Sequence, residues 1–390
     1  MPIRTAALPA AIVSIVKDVL GDPPTPVPLH APLFAGREWD YVKDCLDSTW
    51  VSSVGRHVDR FEALLEEQCG VKRAVAVVNG TCALHMALLL AGVEPGEEVI
   101  VPALTFVATA NAVRHAGATP HFVDSEARSL GLDADKLEAR LAAAAVRTET
   151  GCRNKATGRR IRVVVPMHVF GHPADLDALS AVCRRWGLTL VEDAAEALGS
   201  RYKDRPVGGH GRLAILSFNG NKIVTCGGGG AILTNDQALA DRARHLTTTA
   251  KVPHPWRFDH DATGYNYRLP NLNAALGCAQ MERLPVFLAS ERALARRYQE
   301  AFAGLAGLTV LREPDYGRSN YWLNALLLDR PDPGLRDAIL EQANAAGIGA
   351  RPAWTLLHRL PMHAACPRGD LSTAEALEAR IVNLPSGAAL

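Results

Sequence analysis

Several things are scarce in this chain of 390 residues, and each scarcity closes off a class of function. Its eight cysteines are scattered, with no Cys-x-x-Cys pair. That argues against a disulfide framework or a zinc ribbon and fits a reducing, cytoplasmic setting. No run of about 18 apolar residues occurs, so no membrane-spanning helix is expected. The apolar stretch from Ala6 to Leu20 is interrupted by Pro9 and closed by Lys17 and Asp18. It lacks a compact apolar core with a small-residue cleavage site, so it reads as a helix docked on the body of the protein and not as a signal peptide. Net charge is only +1, which gives no sign of a polyanion partner such as nucleic acid. The 24 prolines and 32 glycines mark element boundaries and form no low-complexity tract. His168 and His172 have a metal-like spacing, but Gly171 and Pro173 break any helix that would align them. No metal is expected, and either histidine reads better as lining a cleft.

What is present is a long alternation of strands and helices. Strands are predicted at 75–78, 99–101, 121–123, 162–165, 189–191, 214–217 and 231–233, with helices at 132–145 and 176–185 among the gaps. Such alternation predicts an α/β fold with a mainly parallel central sheet covered on both faces. The polar stretch 147–160 reads as an exposed loop. After Leu269 the texture changes, with helices expected at 273–284, 291–302 and 335–346 and a strand at 321–328. The expected organisation is an N-terminal segment over 1–30, a large α/β domain over 31–270 and a small α+β domain over 271–390.

Four motifs carry chemistry. Lys222 lies between the polar run Ser217-Phe218-Asn219-Gly220-Asn221 and the glycines 227–230. A reachable, partly desolvated amine of this kind can hold an aldehyde cofactor covalently, with Ser217 placed to meet a cofactor phosphate; the alternative is a surface lysine on a loop. Asp193 closes the apolar run 188–191 after Glu192, where ligands gather at the carboxyl ends of parallel strands. A carboxylate there can pair with a protonated pyridine nitrogen, or it can cap a helix beginning at Ala194. Asn79-Gly80-Thr81 joins an apolar strand to an apolar helix, a junction that suits a phosphate. Phe106 ends a further strand and can stack on a flat ring, or simply pack in the core. Against a dinucleotide-binding oxidoreductase, no Gly-x-Gly-x-x-Gly follows the first strand, and the run 227–230 precedes a strand.

Together, Asn79-Gly80-Thr81, Glu192-Asp193-Ala194-Ala195, Ser217-Phe218 with Lys222, and Gly264-Tyr265-Asn266-Tyr267-Arg268 make the chain resemble the DegT/StrS sugar-nucleotide aminotransferases. These are pyridoxal 5′-phosphate enzymes of the aspartate-aminotransferase fold (fold type I). The resemblance implies that Lys222 forms the Schiff base and carries the proton, that Asp193 keeps the pyridine nitrogen protonated, and that Phe106 stacks on the ring. Gly80, Thr81, Cys82 and Ser217 would bind the phosphate, and Asn266 would reach the cofactor of a neighbouring subunit in a homodimer with shared sites. Glu196 stands where glutamine or histidine is usual beside the phenolic oxygen. It would have to be protonated there or point elsewhere. Gly228 stands where many relatives carry glutamate.

Within that family the chain is similar to the LegC-like branch of legionaminic-acid-type pathways, through Arg351-Pro352-Ala353-Trp354, His358 and the run 50–55. This implies a UDP-linked 2-acetamido-4-keto sugar aminated with glutamate, with His168, Arg268, Arg351, Trp354 and His358 as candidates for holding it. A GDP-linked 4-keto-6-deoxymannose, as in perosamine synthesis, is the competing substrate. A non-catalytic sensor that keeps the fold would be marked by loss of the lysine or the aspartate, and a dehydratase variant by histidine in place of the lysine. Lys222 and Asp193 are both present.

Overall fold

The computed structural model describes residues 8–21, 23, 25–148 and 151–390. In chain order the first half comprises α1 (Leu8–Leu20), α2 (Glu38–Asp47), α3 (Arg56–Cys69), β1 (Arg73–Val77), α4 (Gly80–Leu90), β2 (Glu98–Pro102), α5 (Val107–His115), β3 (Thr119–Val123), α6 (Ala134–Ala144), β4 (Ala145–Thr148), β5 (Gly151–Asn154), β6 (Arg160–Val164), α7 (Leu176–Trp186) and β7 (Thr189–Asp193). There follow the two-residue strands β8 (Arg201–Tyr202) and β9 (Arg205–Pro206), then β10 (Leu213–Ser217), β11 (Gly230–Thr234), α8 (Gln237–Thr247), α9 (Asn271–Ala301), β12 (Leu308–Val310), β13 (Gly317–Arg318), β14 (Asn324–Leu328), α10 (Pro333–Ala345), β15 (Arg351–Pro352), α11 (Ser372–Glu378) and β16 (Ile381–Leu384).

The main sheet runs β1-β11-β10-β7-β6-β2-β3, and the β4–β5 hairpin joins it through β5. From β10 through β7, β6 and β2 to β3 every pairing is parallel; β11 is antiparallel to both of its neighbours. This is the expected mainly parallel α/β sheet. Its central strands are apolar because helices cover both faces, leaving little solvent-facing surface for polar residues. A second sheet, β12-β14-β16-β15, is antiparallel.

Two expectations need correction. The stretch 147–160 is not an exposed loop throughout, because β4 and β5 pair as a hairpin and β5 pairs with β6. Cys152 is fully buried, and Asn154 and Thr157 bond the buried Glu98 carboxylate at 2.9 and 2.6 Å. The polar residues that suggested a loop therefore satisfy an inner charge. Likewise, the two helices expected at 273–284 and 291–302 are one 31-residue helix with Pro285 inside it. Proline costs a helix one donor and some crowding, but Leu284 and Phe287 are both buried against the large sheet's core, so packing holds the helix through the break.

Helix α1 docks as expected, with Pro9 in the first turn, where its missing N–H costs nothing. Ile12, Val16, Val19 and Leu20 join Ile339 of α10, Leu294 and Tyr298 of α9, and Val382 of β16 in one buried cluster. Ile12 is 1% exposed. Truncating it to alanine is expected to cost ~2–5 kcal/mol, read as a lower urea midpoint. A midpoint equal to that of the parent would show that α1 is an appendage and not part of this core.

Candidate active site

Parallel strands deliver their carboxyl ends to one edge of the sheet, so β2, β7 and β10 bring Phe106, Asp193 and Ser217 to a common rim. Helix α4 starts beside them. Its cap is Asn79, whose Oδ1 accepts the Cys82 N–H at 2.7 Å. Two glycines allow the approach. A Cβ on Gly80 would stand 2.9 Å from the Ser217 Cβ, and one on Gly230 would stand 2.5 Å from the carbonyl carbon of Asn79. The start of α4 is thereby pressed against the end of β10, leaving its N-terminus facing a cavity of about 330 Å³. Gly80, Thr81, Ser217, Phe106, Trp354, Asp193, Glu196 and Lys222 all line this cavity.

Its charges are the notable content. Asp193 is 4% exposed; its Oδ2 accepts the Thr109 hydroxyl at 2.8 Å and its Oδ1 the Ala195 N–H at 3.3 Å. The chain after Asp193 forms turns, so the aspartate does not cap a helix. Burial pushes its carboxyl up, against the pull of Thr109, Ala195, Lys222 and His168. Glu196 points its Oε1 at the Lys222 Nζ, 3.2 Å away, and its Oε2 accepts the Phe170 N–H at 2.9 Å. Burial lifts this carboxyl to about 7, opposed by the lysine and the Phe170 bond and assisted by Asp193. On its other side the Lys222 amine lies 3.7 Å from the centre of the Trp322 ring.

These residues fit pyridoxal 5′-phosphate. The α4 N-terminus with Thr81 and Ser217 suits its phosphate, a buried carboxylate awaits a cationic ring nitrogen, and a shielded amine awaits the aldehyde. Phe106 is half exposed at the start of α5, 6.3 Å from Trp354, and offers a flat surface to a ring.

Other expected residues lie elsewhere. The Cys82 N–H is committed to the Asn79 cap, so it is not free for a phosphate. His168 is fully buried; its Nε2 faces Glu192 at 3.3 Å and its Nδ1 accepts the Ala174 N–H. His172 is also buried, its pKa pushed down to about 4 by burial. Neither histidine lines the cleft. Arg268 bonds Glu62 and the Ala76 carbonyl, both at 2.9 Å, inside its own chain. Arg351 is exposed on β15 and bonds Asn344, while His358 faces Glu375 at 3.2 Å. Asn266 is exposed and pairs with Thr248 through the backbone. Gly228 spends its carbonyl on Asn273. Conversely, Thr109, Trp322, Asn219 and Asn221 line the cavity without having been expected. Thr109 had a faint local signal, four residues beyond Thr105 and hydroxyl-bonded to it at 2.9 Å. Trp322 had none.

Asp44, Cys45 and His57 bring metal-ligand atoms within 4.8 Å of one another. Asp44 is taken by Arg56 and His57, however, and Cys45 by Asn271.

Residues 34–390 match the DegT/DnrJ/EryC1/StrS aminotransferase family, and the chain belongs to it. It is accordingly a pyridoxal-phosphate-dependent aminotransferase. It is 39% identical to a GDP-perosamine synthase of Caulobacter vibrioides, over 93% of this chain and 94% of that protein. With a GDP-perosamine synthase of Vibrio cholerae it shares 35% identity, over 92% and 94%. The crystal structure of the aminotransferase TlmJ from Streptoalloteichus hindustanus superposes with a TM-score of 0.84 at 30% identity, covering 93% of this chain and 94% of that one. These relatives are not named for legionaminic-acid chemistry, so they lend no support to the LegC-like placement.

Glu196 gives a pH signature. A carboxyl whose pKa rises on folding stabilises the fold only while protonated, so its contribution is whole below 4.5 and is lost as the pH climbs through about 7. Between about pH 5 and about pH 8 the cofactor-free parent should therefore lose thermal stability relative to Glu196→Gln. Parallel melting curves across that range would remove the raised carboxyl from the account.

Proposed function

We propose that this enzyme transfers an amino group from glutamate to the 4-keto carbon of a GDP-linked 4-keto-6-deoxy sugar. The reading is carried by Lys222, a shielded amine facing the cavity that Asp193 also lines, in a chain whose near-full-length relatives are named GDP-perosamine synthases. Of the two substrates that the resemblance left open, the GDP-linked sugar has this support and the UDP-linked 2-acetamido sugar does not.

Pyridoxal phosphate, when bound, supplies the electron sink that lets a proton leave carbon next to nitrogen. The chain's residues do the rest. Asp193, whose buried carboxyl is uncomfortable as a lone anion, gains a partner in a protonated ring nitrogen and holds that proton in place. Lys222 would hold the cofactor between turnovers, and its freed amine would take the proton from the donor carbon and return one to the sugar carbon. Glu196, 3.2 Å from that amine and titrating near neutrality, is placed to take up or return the amine's surplus proton. Thr81 and Ser217 with the α4 N-terminus fix the phosphate end. Asn219, Asn221 and Trp354 line the cavity and offer the sugar hydrogen-bonding and stacking groups, while Arg351 and His358 lie outside its lining, bonded to Asn344 and Glu375.

Incubating the holoenzyme with glutamate and, separately, GDP- and UDP-linked 4-keto-6-deoxy sugars, then weighing the products, tests the reading. The GDP sugar should gain one amine. Turnover of the UDP-linked 2-acetamido sugar alone would reverse the assignment, and amination of simple keto acids alone would sink both.

We further propose a homodimer whose sites are shared. Trp39, Trp50, Val54, Trp256 and Phe258 are large apolar residues left exposed on one chain, surface that a second copy would cover. Asn266 is exposed beyond α8, free to face a second copy, whereas Arg268 is locked to Glu62. Mixing Lys222→Ala chains with Asn266→Ala chains should recover about a quarter of parent activity after random exchange, since half of the dimers then hold one intact site. Exchange shown by mass with no recovery would refute sharing.

A further inference from the structure

We propose that Trp322 is the positioning residue of Lys222: its indole face is the seat on which the unlinked ε-ammonium rests, keeping the amine at the cavity wall and out of water. This rests on Lys222 being the lysine that holds the cofactor.

The ring is built to stay where it is. The Lys222 Nζ stands 3.7 Å from the centre of the ring, within the range in which an aromatic face attracts a cation. The Trp322 side chain is almost wholly buried, and its indole N–H donates to the carbonyl of Asn221 at 2.7 Å, the residue just before the lysine. Ring and lysine backbone are thus tied together across a sequence gap of 100 residues. The Trp322 backbone N–H donates to the Asn320 Oδ1 at 2.9 Å, and the Asn320 Nδ2 donates to the carbonyls of Glu196 and Leu198 at 2.9 and 3.0 Å. One buried amide therefore fixes both groups that flank the amine. His30 packs against Trp322 with ring centres 6.1 Å apart, and the Glu291 carboxylate holds His30 at 3.0 Å.

The backbone supports the same conclusion. Tyr321, immediately before the tryptophan, has φ 54°, and Phe170, which donates its N–H to Glu196, has φ 55°. Bulky residues enter this left-handed region only where surrounding contacts hold them there. The Tyr321 hydroxyl supplies such contacts, accepting the Glu313 N–H at 3.1 Å and a Gln299 amide N–H at 3.3 Å. Both constrained positions lie next to groups that touch the lysine amine.

The chemistry needs such a seat. A transaminase lysine gives up its covalent link in every turnover and later takes it back, so its amine spends part of each cycle unlinked. A free lysine on a four-carbon stem would sample solvent; one resting on a ring face between two fixed walls starts each attack from one place.

The test compares Trp322→Phe with Trp322→Leu in full-length protein, cleared of its cofactor and re-exposed to pyridoxal 5′-phosphate. Both variants lose the bond to Asn221; leucine loses the ring face as well and is the smaller of the two. Covalent capture is followed by absorbance, and borohydride trapping with peptide mapping reports which lysine is labelled. The leucine variant should capture cofactor about fivefold more slowly than the phenylalanine variant at a temperature where melting curves show both folded. Should leucine unfold the site, Trp322→Met makes the same comparison. Equal capture rates with the label on Lys222 would overturn the proposal. A label on a different lysine in the parent would instead overturn the assignment of Lys222, and the proposal with it.

Discussion

Charge balance inside the cavity constrains everything around it. Asp193 and Glu196 are two carboxyl groups that share a low-dielectric space with one ammonium, Lys222. Burial itself lifts both acids, and Asp193 adds a smaller push on Glu196, while the lysine pulls each the other way. A protonated ring nitrogen beside Asp193 would give that buried carboxylate a partner. Thr109, Ala195 and Phe170 supply the hydrogen bonds that keep each carboxyl aimed while the balance shifts.

The end of the cavity formed by α4 obeys a different constraint, one of distance. Gly80 against Ser217 and Gly230 against Asn79 are contacts in which a single methyl group would collide with neighbouring atoms. Since Gly230 opens β11 and Gly80 opens α4, the antiparallel insertion of β11 beside β1 is what presses the helix onto the rim. Electrostatics and close approach are thus delivered by different strands of one sheet.

How much of this was legible in the sequence depended on how local the cause was. That Lys222, Asp193, Ser217 and Asn79-Gly80-Thr81 meet in one cavity was legible because Asp193 and Ser217 end apolar strands, Asn79 follows another, and Lys222 lies five residues past Ser217; the roles expected of them came from the resemblance. The sheet's parallel core was legible for the same reason. Trp322 was not, since its closeness to Lys222 arises from tertiary packing across 100 residues of chain. His168 misled because a histidine near a strand end looks the same whether it faces a cleft or the interior, and only Glu192 beneath it decides. Arg268 misled through its polar neighbours, although the buried Glu62 claims it. The stretch 147–160 misled because polarity was taken for exposure, when Asn154 and Thr157 serve the buried Glu98.

Helix α9 shows that a change of texture along a sequence need not mark a seam in the molecule. Its first half places Ala274, Ala275, Cys278, Ala279, Leu284 and Phe287 in the core of the main sheet, and its second half places Leu294 and Tyr298 in the core under the smaller one. Asn271, at its start, bonds Trp50 and His57, and Glu291, farther along, bonds His30 and Gly387. The chain is therefore not modular at residue 270. A graft that exchanged everything after that point between relatives would also replace one wall of the recipient's main core, so a chimera meant to change specificity would have to carry α9 with the sheet it was shaped against.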